Sequence, residues 1–244
     1  EQMTNGMYEI VSNRRIAQDT YEMVLQGDLS FAENPGQFVN IKLEGLYLRR
    51  PISICDWDDA TLTLIYKVVG KGTQQLAGMK PGKGLDLLCG LGNGFDMKKA
   101  GEHSLLIGGG VGVPPLYGLA RRMVYEGEKV TAVLGFGNKN QAFYVEKFKA
   151  LGCPVEVATE DGSLGTKGFV THVMENLSYD YYFACGPMPM LRAVHACGRP
   201  GQLSFEERMG CGFGACMGCS CETLVGNKRI CVDGPVMDSS EVKF

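Results

Sequence analysis

The chain has 244 residues, 45% of them hydrophobic, and a formal net charge of −3. That length gives room for one large domain or two to three small ones, each with its own core. The mild acidity speaks against a nucleic-acid partner, and no apolar run reaches the roughly 20 residues of a membrane-spanning helix.

Through residues 1–99, short runs rich in Val, Ile, Leu, Thr and Tyr are separated by turn residues. Strands are predicted over 8–16, 20–26, 36–43, 60–69 and 85–90, with another around 49–54 and a helix over 72–79. NPG (34–36), KPGKG (80–84) and GLGNGF (90–95) supply the turns. Short strands at near-regular spacing predict a small antiparallel barrel. From residue 100 the pattern changes. Strands predicted over 103–109, 129–136, 153–161 and 179–186 alternate with helices over 114–127, 141–152, 171–177 and 187–198. In the first helix Leu116, Leu119, Ala120 and Met123 share one face. Alternating strands and helices predict βαβ units and a parallel sheet. From about residue 199 the chain is rich in Gly and Cys and has little periodicity. The expected fold class is therefore β-barrel plus α/β, in three units: a barrel (1–99), an α/β domain (100–198) and a small metal-binding tail (199–244).

The chain has ten cysteines, and five of them fall between residues 211 and 231. Without a charged start and apolar run to mark a secretory signal, tight cysteine spacing in a chain of this length points to a metal site in a reducing cytoplasm. Cys211, Cys216 and Cys219 are spaced C-x4-C-x2-C, and Cys231 follows twelve residues after the third. This is the plant-type 2Fe-2S spacing. Gly212, Gly214 and Gly218 are expected to take positive φ so that the loop folds back and its N–H groups reach the sulfurs. A zinc site would also use four cysteines, but in two close pairs, and Cys219 with Cys221 makes a poor second pair. Cys221 remains the rival to Cys219 for the third position, because residues two apart on an extended segment face the same way.

LLIGGGVGVPPL places Gly110-x-Gly112-x-x-Pro115 between a strand and a helix, where backbone N–H groups can approach a pyrophosphate. A tight strand–helix turn with no ligand would use the same glycines. The next strand ends in Gly135-Phe136-Gly137 and carries no acid, so the ordinary Rossmann ribose contact is missing. TEDG (159–162) is either a plain turn or a source of ribose contacts. Cys185-Gly186-Pro187 ends the last α/β strand, and its cysteine is either a buried filler or a residue beside the ligand's reactive ring. In Arg49-Arg50-Pro51-Ile52-Ser53-Ile54, Arg50 can pair with a phosphate and Ser53, beyond a turn at Pro51, offers a hydroxyl.

A barrel with Arg-Pro-x-Ser, a GxGxxP domain and a CGP turn, in that order, resemble the ferredoxin–NADP reductase superfamily. LRRPISICD, CGLGNGFD, ATEDGSLGTKGFVT, CGPMPMLRAV, LSFEERMGCGFGACMGCSC and CVDGPV together look like one subfamily, the electron-transfer subunits of NAD-dependent (class 1B) dihydroorotate dehydrogenase. The resemblance implies FAD contacts at Arg50, Pro51, Ile52 and Ser53, at Ile65, Tyr66 and Lys67, and at Gly72 and Thr73. It implies NAD contacts on the α/β domain, for which Gly110, Gly112, Cys185 and Gly186 are the candidates, and cluster ligands at Cys211, Cys216, Cys219 and Cys231. Ile52 stands where the superfamily commonly has Tyr, so no aromatic from that position covers the flavin.

The resemblance also implies a relay in pyrimidine biosynthesis. An FMN-containing partner oxidises dihydroorotate, electrons pass singly to a 2Fe-2S cluster and then to FAD, and NAD+ leaves as NADH. The expected assembly is a heterotetramer with two copies of each subunit. No catalytic acid or base is expected, which agrees with a chain that has only three histidines and no convincing triad. Two other readings use the same motifs: a related NAD(P)H–ferredoxin oxidoreductase subunit, and a zinc-stabilised nucleotide-binding regulatory module.

Overall fold

The computed structural model describes residues 3–244; Glu1 and Gln2, which open the expected barrel unit, lie outside the described residues. Strands β1 (Thr4–Ala17), β2 (Thr20–Gln26), β3 (Phe38–Ile41), β4 (Arg50–Trp57) and β5 (Thr61–Lys67) are followed by helix α1 (Lys71–Ala77) and strand β6 (Gly84–Leu91). The strands close into a barrel in the order β1-β2-β5-β4-β3-β6, every pairing antiparallel. Alternation drives the closure. In β6 every second residue (Leu85, Leu87, Cys89, Leu91) is buried, and the residues between are exposed or half-buried. Pro51 lies within β4, opposite Asn40 of β3, and not at the turn expected from sequence.

The α/β part runs β7 (Ser104–Gly109), α2 (Val113–Tyr125), β8 (Val130–Phe136), α3 (Val145–Ala150), β9 (Val155–Thr159), β10 (Thr166–Lys167), α4 (Val170–Met174), β11 (Tyr181–Cys185), α5 (Met188–Ala196) and β12 (Gly201–Ser204). Successive residues of β7 and β11 feed two different cores. Leu106 and Phe183 pack with α2 and α3, while Leu105, Ile107, Tyr182 and Ala184 pack with α4 and α5. A sheet covered on both faces needs apolar residues throughout, which is why β7 and β11 are buried along their whole length. The predicted apolar face of α2 is buried as expected. Helix α3 is shorter than its pattern suggested. The Asn138 side chain accepts from the N–H of Asn140 and Gln141, and Tyr144 takes φ 63°, so a local turn displaces the helix's first turn.

In the tail, β13 (Ser220–Thr223) and β14 (Gly226–Arg229) form a hairpin, and β15 (Val236–Asp238) follows. The large sheet has the order β10-β9-β8-β7-β11-β12-β15, so it draws its two outermost strands on one side from beyond residue 199. The segment expected to form a separate metal-binding tail thus shares the α/β sheet at both of its ends. The sequence hides this because β12 is only four residues long and carries Gln202 and Ser204. Gln202 is buried, and its amide bonds the backbone of Asp96 in both directions and the Tyr181 hydroxyl.

Barrel and sheet are joined firmly. Helix α2 lies on β4, and a Cβ at Gly118 would stand 2.7 Å from the Cys55 carbonyl oxygen. Arg121 grips Asp56 with two nitrogens, at 2.9 and 2.7 Å. Glu22 of β2 is buried and accepts from Arg14, from the Tyr144 hydroxyl at 2.5 Å and from Lys147 at 3.2 Å. Burial alone would raise its carboxyl, but these three donors hold it below the ordinary glutamate range.

Candidate functional site

The first cleft, about 560 Å³, opens where the barrel's ladder fails. Strand β4 pairs with β3 along Arg50–Ser53, but meets β5 only from Ile54 onward. Residues 50–53 and 65–67 therefore splay apart, and their facing backbone groups are left for a ligand. Proline is tolerated at 51 because its missing N–H costs nothing on an unpaired edge. Arg50, Pro51, Ile52, Ser53, Ile65, Tyr66, Lys67 and Thr73 all line this cleft. Gly72 does not line it, but a Cβ there would stand 2.6 Å from Arg50 Nε, so the bare glycine lets the guanidinium lie against the start of α1. Thr73 Oγ1 accepts from the N–H groups of Val69 and Gly70 and braces the same turn. Arg49 turns the other way and is tied to Asp86 at 2.8 Å. Only one arginine of the pair faces the cleft.

The second cleft, about 530 Å³, lies at the C-terminal ends of the parallel strands. From β7 the chain moves outward through β8 to β10 on one side, and through β11 and β12 on the other. The crevice between β7 and β11 is thus the topological switch point where ligands bind in open α/β sheets. Gly110 takes φ +53°, with open space where its Cβ would be. At Gly112 a Cβ would lie 2.2 Å from the Cys185 carbonyl oxygen, so only glycine lets the loop close on β11. Gly186 packs on Met190. Cys185 itself is buried and lines the first cleft, and burial pushes its thiol up to about 12. Glu160 of TEDG lines the second cleft, opposite the glycine loop. Lys67 and Val111 line both clefts, so the two adjoin.

The sulfurs group two by two. Cys219 Sγ and Cys231 Sγ stand 3.2 Å apart, both buried. Cys211 and Cys216 each direct a backbone N–H at the other's sulfur, at 3.5 and 3.4 Å. Phe213, Ala215 and Gly218 add further N–H donors, at 3.5, 3.2 and 3.4 Å. Burial would raise the Cys211 thiol, but the N–H groups of Phe213, Cys216 and Ala215 outweigh it and bring it down to about 6. Gly212 and Gly214 take positive φ as expected; Gly218 does not, and Met217, at φ 60°, makes that bend. Cys219 lies in the turn ahead of β13, so strand alternation does not govern it. Cys221, inside β13, lines a small separate pocket with Met188, Phe205 and Phe244.

Four thiols with N–H groups aimed at them suit an anionic iron–sulfide core. The sequence places Phe205 to Met209 in the metal-binding tail, yet the stretch lines the first cleft. Met209 precedes Cys211 by two residues, so the first cysteine lies within about 7 Å of the cleft wall, Cα to Cα.

Comparison with known proteins agrees with this layout. Residues 206–243 match the iron-sulfur cluster binding domain of dihydroorotate dehydrogenase B, and residues 106–196 match an oxidoreductase NAD-binding domain. The chain is 46% identical to the dihydroorotate dehydrogenase B (NAD(+)) electron transfer subunit of Shouchella clausii, covering 97% of each chain. It is 48% identical to that of Bacillus caldolyticus, covering 96% of each. Among solved structures it superposes on a chain of an NADH-dependent reduced ferredoxin-NADP oxidoreductase studied for flavin-based electron bifurcation. That match has a TM-score of 0.88 and 32% identity, over 98% of this chain and 90% of the other. A Neisseria gonorrhoeae ferredoxin NADP+ reductase shares the fold, with a TM-score of 0.69 and 14% identity over 79% of this chain and 89% of its own.

Proposed function

The chain belongs to the family of dihydroorotate dehydrogenase B electron-transfer subunits, and from that premise we propose that it relays electrons between a catalytic partner and NAD+ through three adjoining sites. One observation carries this reading. The first cleft touches the second through Lys67 and Val111, and reaches the sulfur lobe through Met209. A flavin in the first cleft would therefore lie between a nicotinamide and a cluster. When bound, FAD supplies the exchange between one-electron and two-electron transfer, and a 2Fe-2S cluster supplies the single-electron side.

The protein's own part is to bind and orient. Arg50 and the start of α1 hold the FAD pyrophosphate, with Gly72 and Thr73 shaping that turn. The free edges at Pro51, Ile52 and Ser53, and at Ile65, Tyr66 and Lys67, would offer backbone groups to the flavin ring. Gly110 would admit the NAD pyrophosphate and Glu160 would take the ribose hydroxyls, while Cys185 forms the wall nearest the flavin; Gly112 and Gly186 line neither cleft and serve by letting the loop close on β11 and pack on Met190. Cys211, Cys216, Cys219 and Cys231 hold the irons, and the N–H groups around them offset the negative charge of the core. None of these tasks calls for an acid or base.

The partner is the FMN-containing catalytic subunit, two copies of each chain forming the assembly. Phe213 and Met217, 45% and 56% exposed beside the ligand cysteines, support docking through the cluster loop. No helix among the described residues is long and apolar enough to cross a membrane, and the reading places the complex in the cytoplasm. Purified chain is expected to be brown-yellow and to reduce dyes with NADH, and to oxidise dihydroorotate only after the partner is added. Dihydroorotate turnover by the chain alone would overturn the division of labour. Likeness to the bifurcating oxidoreductase keeps a ferredoxin-linked partner as a second reading. Co-purification with an FMN enzyme, as opposed to a large ferredoxin-linked flavoprotein, decides between the two.

A further inference from the structure

Two sequence motifs, LGNGF (91–95) and CVDGPV (231–236), supply little to the clefts or to the four thiols beyond Cys231 and Pro235. They meet each other instead. Asn93 Nδ2 donates to the Val236 carbonyl at 2.8 Å, the Val236 N–H donates to Asn93 Oδ1 at 3.1 Å, and the Asn93 N–H donates to the Gly234 carbonyl at 2.8 Å. The side chain thus imitates a strand ladder. Gly92 has to be bare for this, because at φ +79° its Cβ would stand 2.7 Å from Pro235 Cδ. The barrel loop thereby grips the chain just beyond Cys231.

The other arm is held by Asn40 of β3, which is 1% exposed. Its Nδ2 donates to the Cys211 carbonyl at 3.3 Å, and a Cβ on Gly212 would come within 2.5 Å of that nitrogen. Asn40 sits opposite Pro51, a wall of the first cleft. Its Oδ1 is buried without a partner. An apolar side chain would fill this site without an orphaned acceptor, so the amide's value lies in the bond it makes and not in burial. One asparagine therefore reaches from the barrel to the loop of Cys211 and Cys216, and a second to the segment after Cys231.

We propose that Asn40 and Asn93 are positioning residues that hold the two arms of the sulfur lobe at a set distance and orientation from the first cleft, so that electron passage between flavin and cluster depends on them. The inference rests on reading that cleft as the FAD site and the four thiols as the cluster ligands. Electron passage falls exponentially with separation, so small displacements of the lobe matter. In the test direction NADH passes a hydride to the flavin and becomes NAD+, and the proton of that hydride stays with the flavin. Of its two electrons, one reduces a ferric iron of the cluster to ferrous and the other stays with the flavin.

The experiment uses the full chain loaded with FAD and iron, with Asn40→Leu and Asn93→Ala made separately. Mixed with NADH, both variants are expected to bleach flavin as the unaltered chain does, because neither residue lines the second cleft. Cluster reduction, followed by freeze-quench paramagnetic resonance, is expected to slow about tenfold, as for outer-shell partners of metal sites. Asn40→Leu is also expected to change the resonance line shape, since it frees the Cys211 carbonyl. Asn93→Asp keeps the shape and the bond from Val236, guards against a loop that fails to fold, and is expected to slow transfer less than alanine does. Cluster reduction at the unaltered rate in all three variants overturns the proposal. So does loss of iron from the two substituted arms with flavin retained, because the asparagines would then hold the metal and not the geometry. If the unaltered chain itself lacks FAD or iron, the underlying reading of the sites fails instead.

Discussion

The two clefts and the sulfur lobe reach function by opposite routes. The clefts are what remains where regular structure stops, one at splayed barrel strands and the other between diverging parallel strands. Their walls rest on cores such as Leu62 and Leu64 in the barrel and Leu106 and Phe183 in the sheet, all fully buried. The lobe from Glu206 to Asp233 buries only Gly212, Cys219, Thr223, Ile230 and Cys231. It has too few apolar side chains to fold on hydrophobic burial, so thiols, hydrogen bonds and metal must hold it.

Removing one proposed ligand should separate the two routes most sharply. Cys219→Ser takes away a buried thiol 3.2 Å from Cys231 Sγ. Outer-shell changes alone cost metal sites about 10–100-fold, so the loss of iron and of cluster-dependent transfer is expected to exceed about 100-fold. Flavin content and NADH-driven dye reduction should survive, since barrel and sheet have their own cores. Iron analysis beside flavin analysis checks both halves; loss of flavin together with iron would show that the lobe and the clefts are one folding unit. In the second cleft, Gly112→Ala forces a Cβ to 2.2 Å from the Cys185 carbonyl. Such overpacking costs about 1–3 kcal/mol and moves the loop. A lower Tm and a raised KM for NADH are expected, with iron content unchanged.

The same contrast explains what could be read from sequence. The core of β7 and the buried face of α2 followed from apolar runs and periodicity, because packing leaves few other solutions. The cysteine spacing drew attention to the same segment in which Cys211 groups with Cys216 and Cys219 with Cys231. What escaped depends on neighbours distant in sequence. Strand β12 is polar and short, and joins the sheet because β11 lies beside it. The bend at Met217, in place of Gly218, is set by the fold of the whole loop. Asn40 and Asn93 look like ordinary strand and turn residues until their partners, 171 and 143 positions away, are brought to them.

Between barrel and sheet, Glu22 offers a smaller effect with a pH signature. Its carboxyl lies below the ordinary glutamate range, so its contribution is fully present above the unfolded value and is lost as pH falls through the depressed folded one. Arg14 and Lys147 are about half exposed or more, which weakens their share. Glu22→Gln is therefore expected to cost about 1–2 kcal/mol at neutral pH. Urea melts of both proteins should converge on acidification below that range. A gap that stays constant would mean the carboxylate charge contributes nothing to the joint.

The smallest expected effect tests the comparison at its most delicate point. Cys221 is two residues from a proposed ligand and has a thiol of its own, yet it packs in a pocket with Met188, Phe205 and Phe244. Burial pushes its thiol up, whereas Cys211 is brought down by N–H groups. If position in the lobe matters more than mere presence of sulfur, Cys221→Ser should keep iron content, visible spectrum and resonance signal, and shift stability by no more than about 0.5 kcal/mol. Iron loss on Cys221→Ser with retention on Cys219→Ser would exchange the two residues' roles. The 3.2 Å pairing of Cys219 with Cys231 would then not be a pair of ligands, and the small pocket beside Phe205 would hold the third ligand instead.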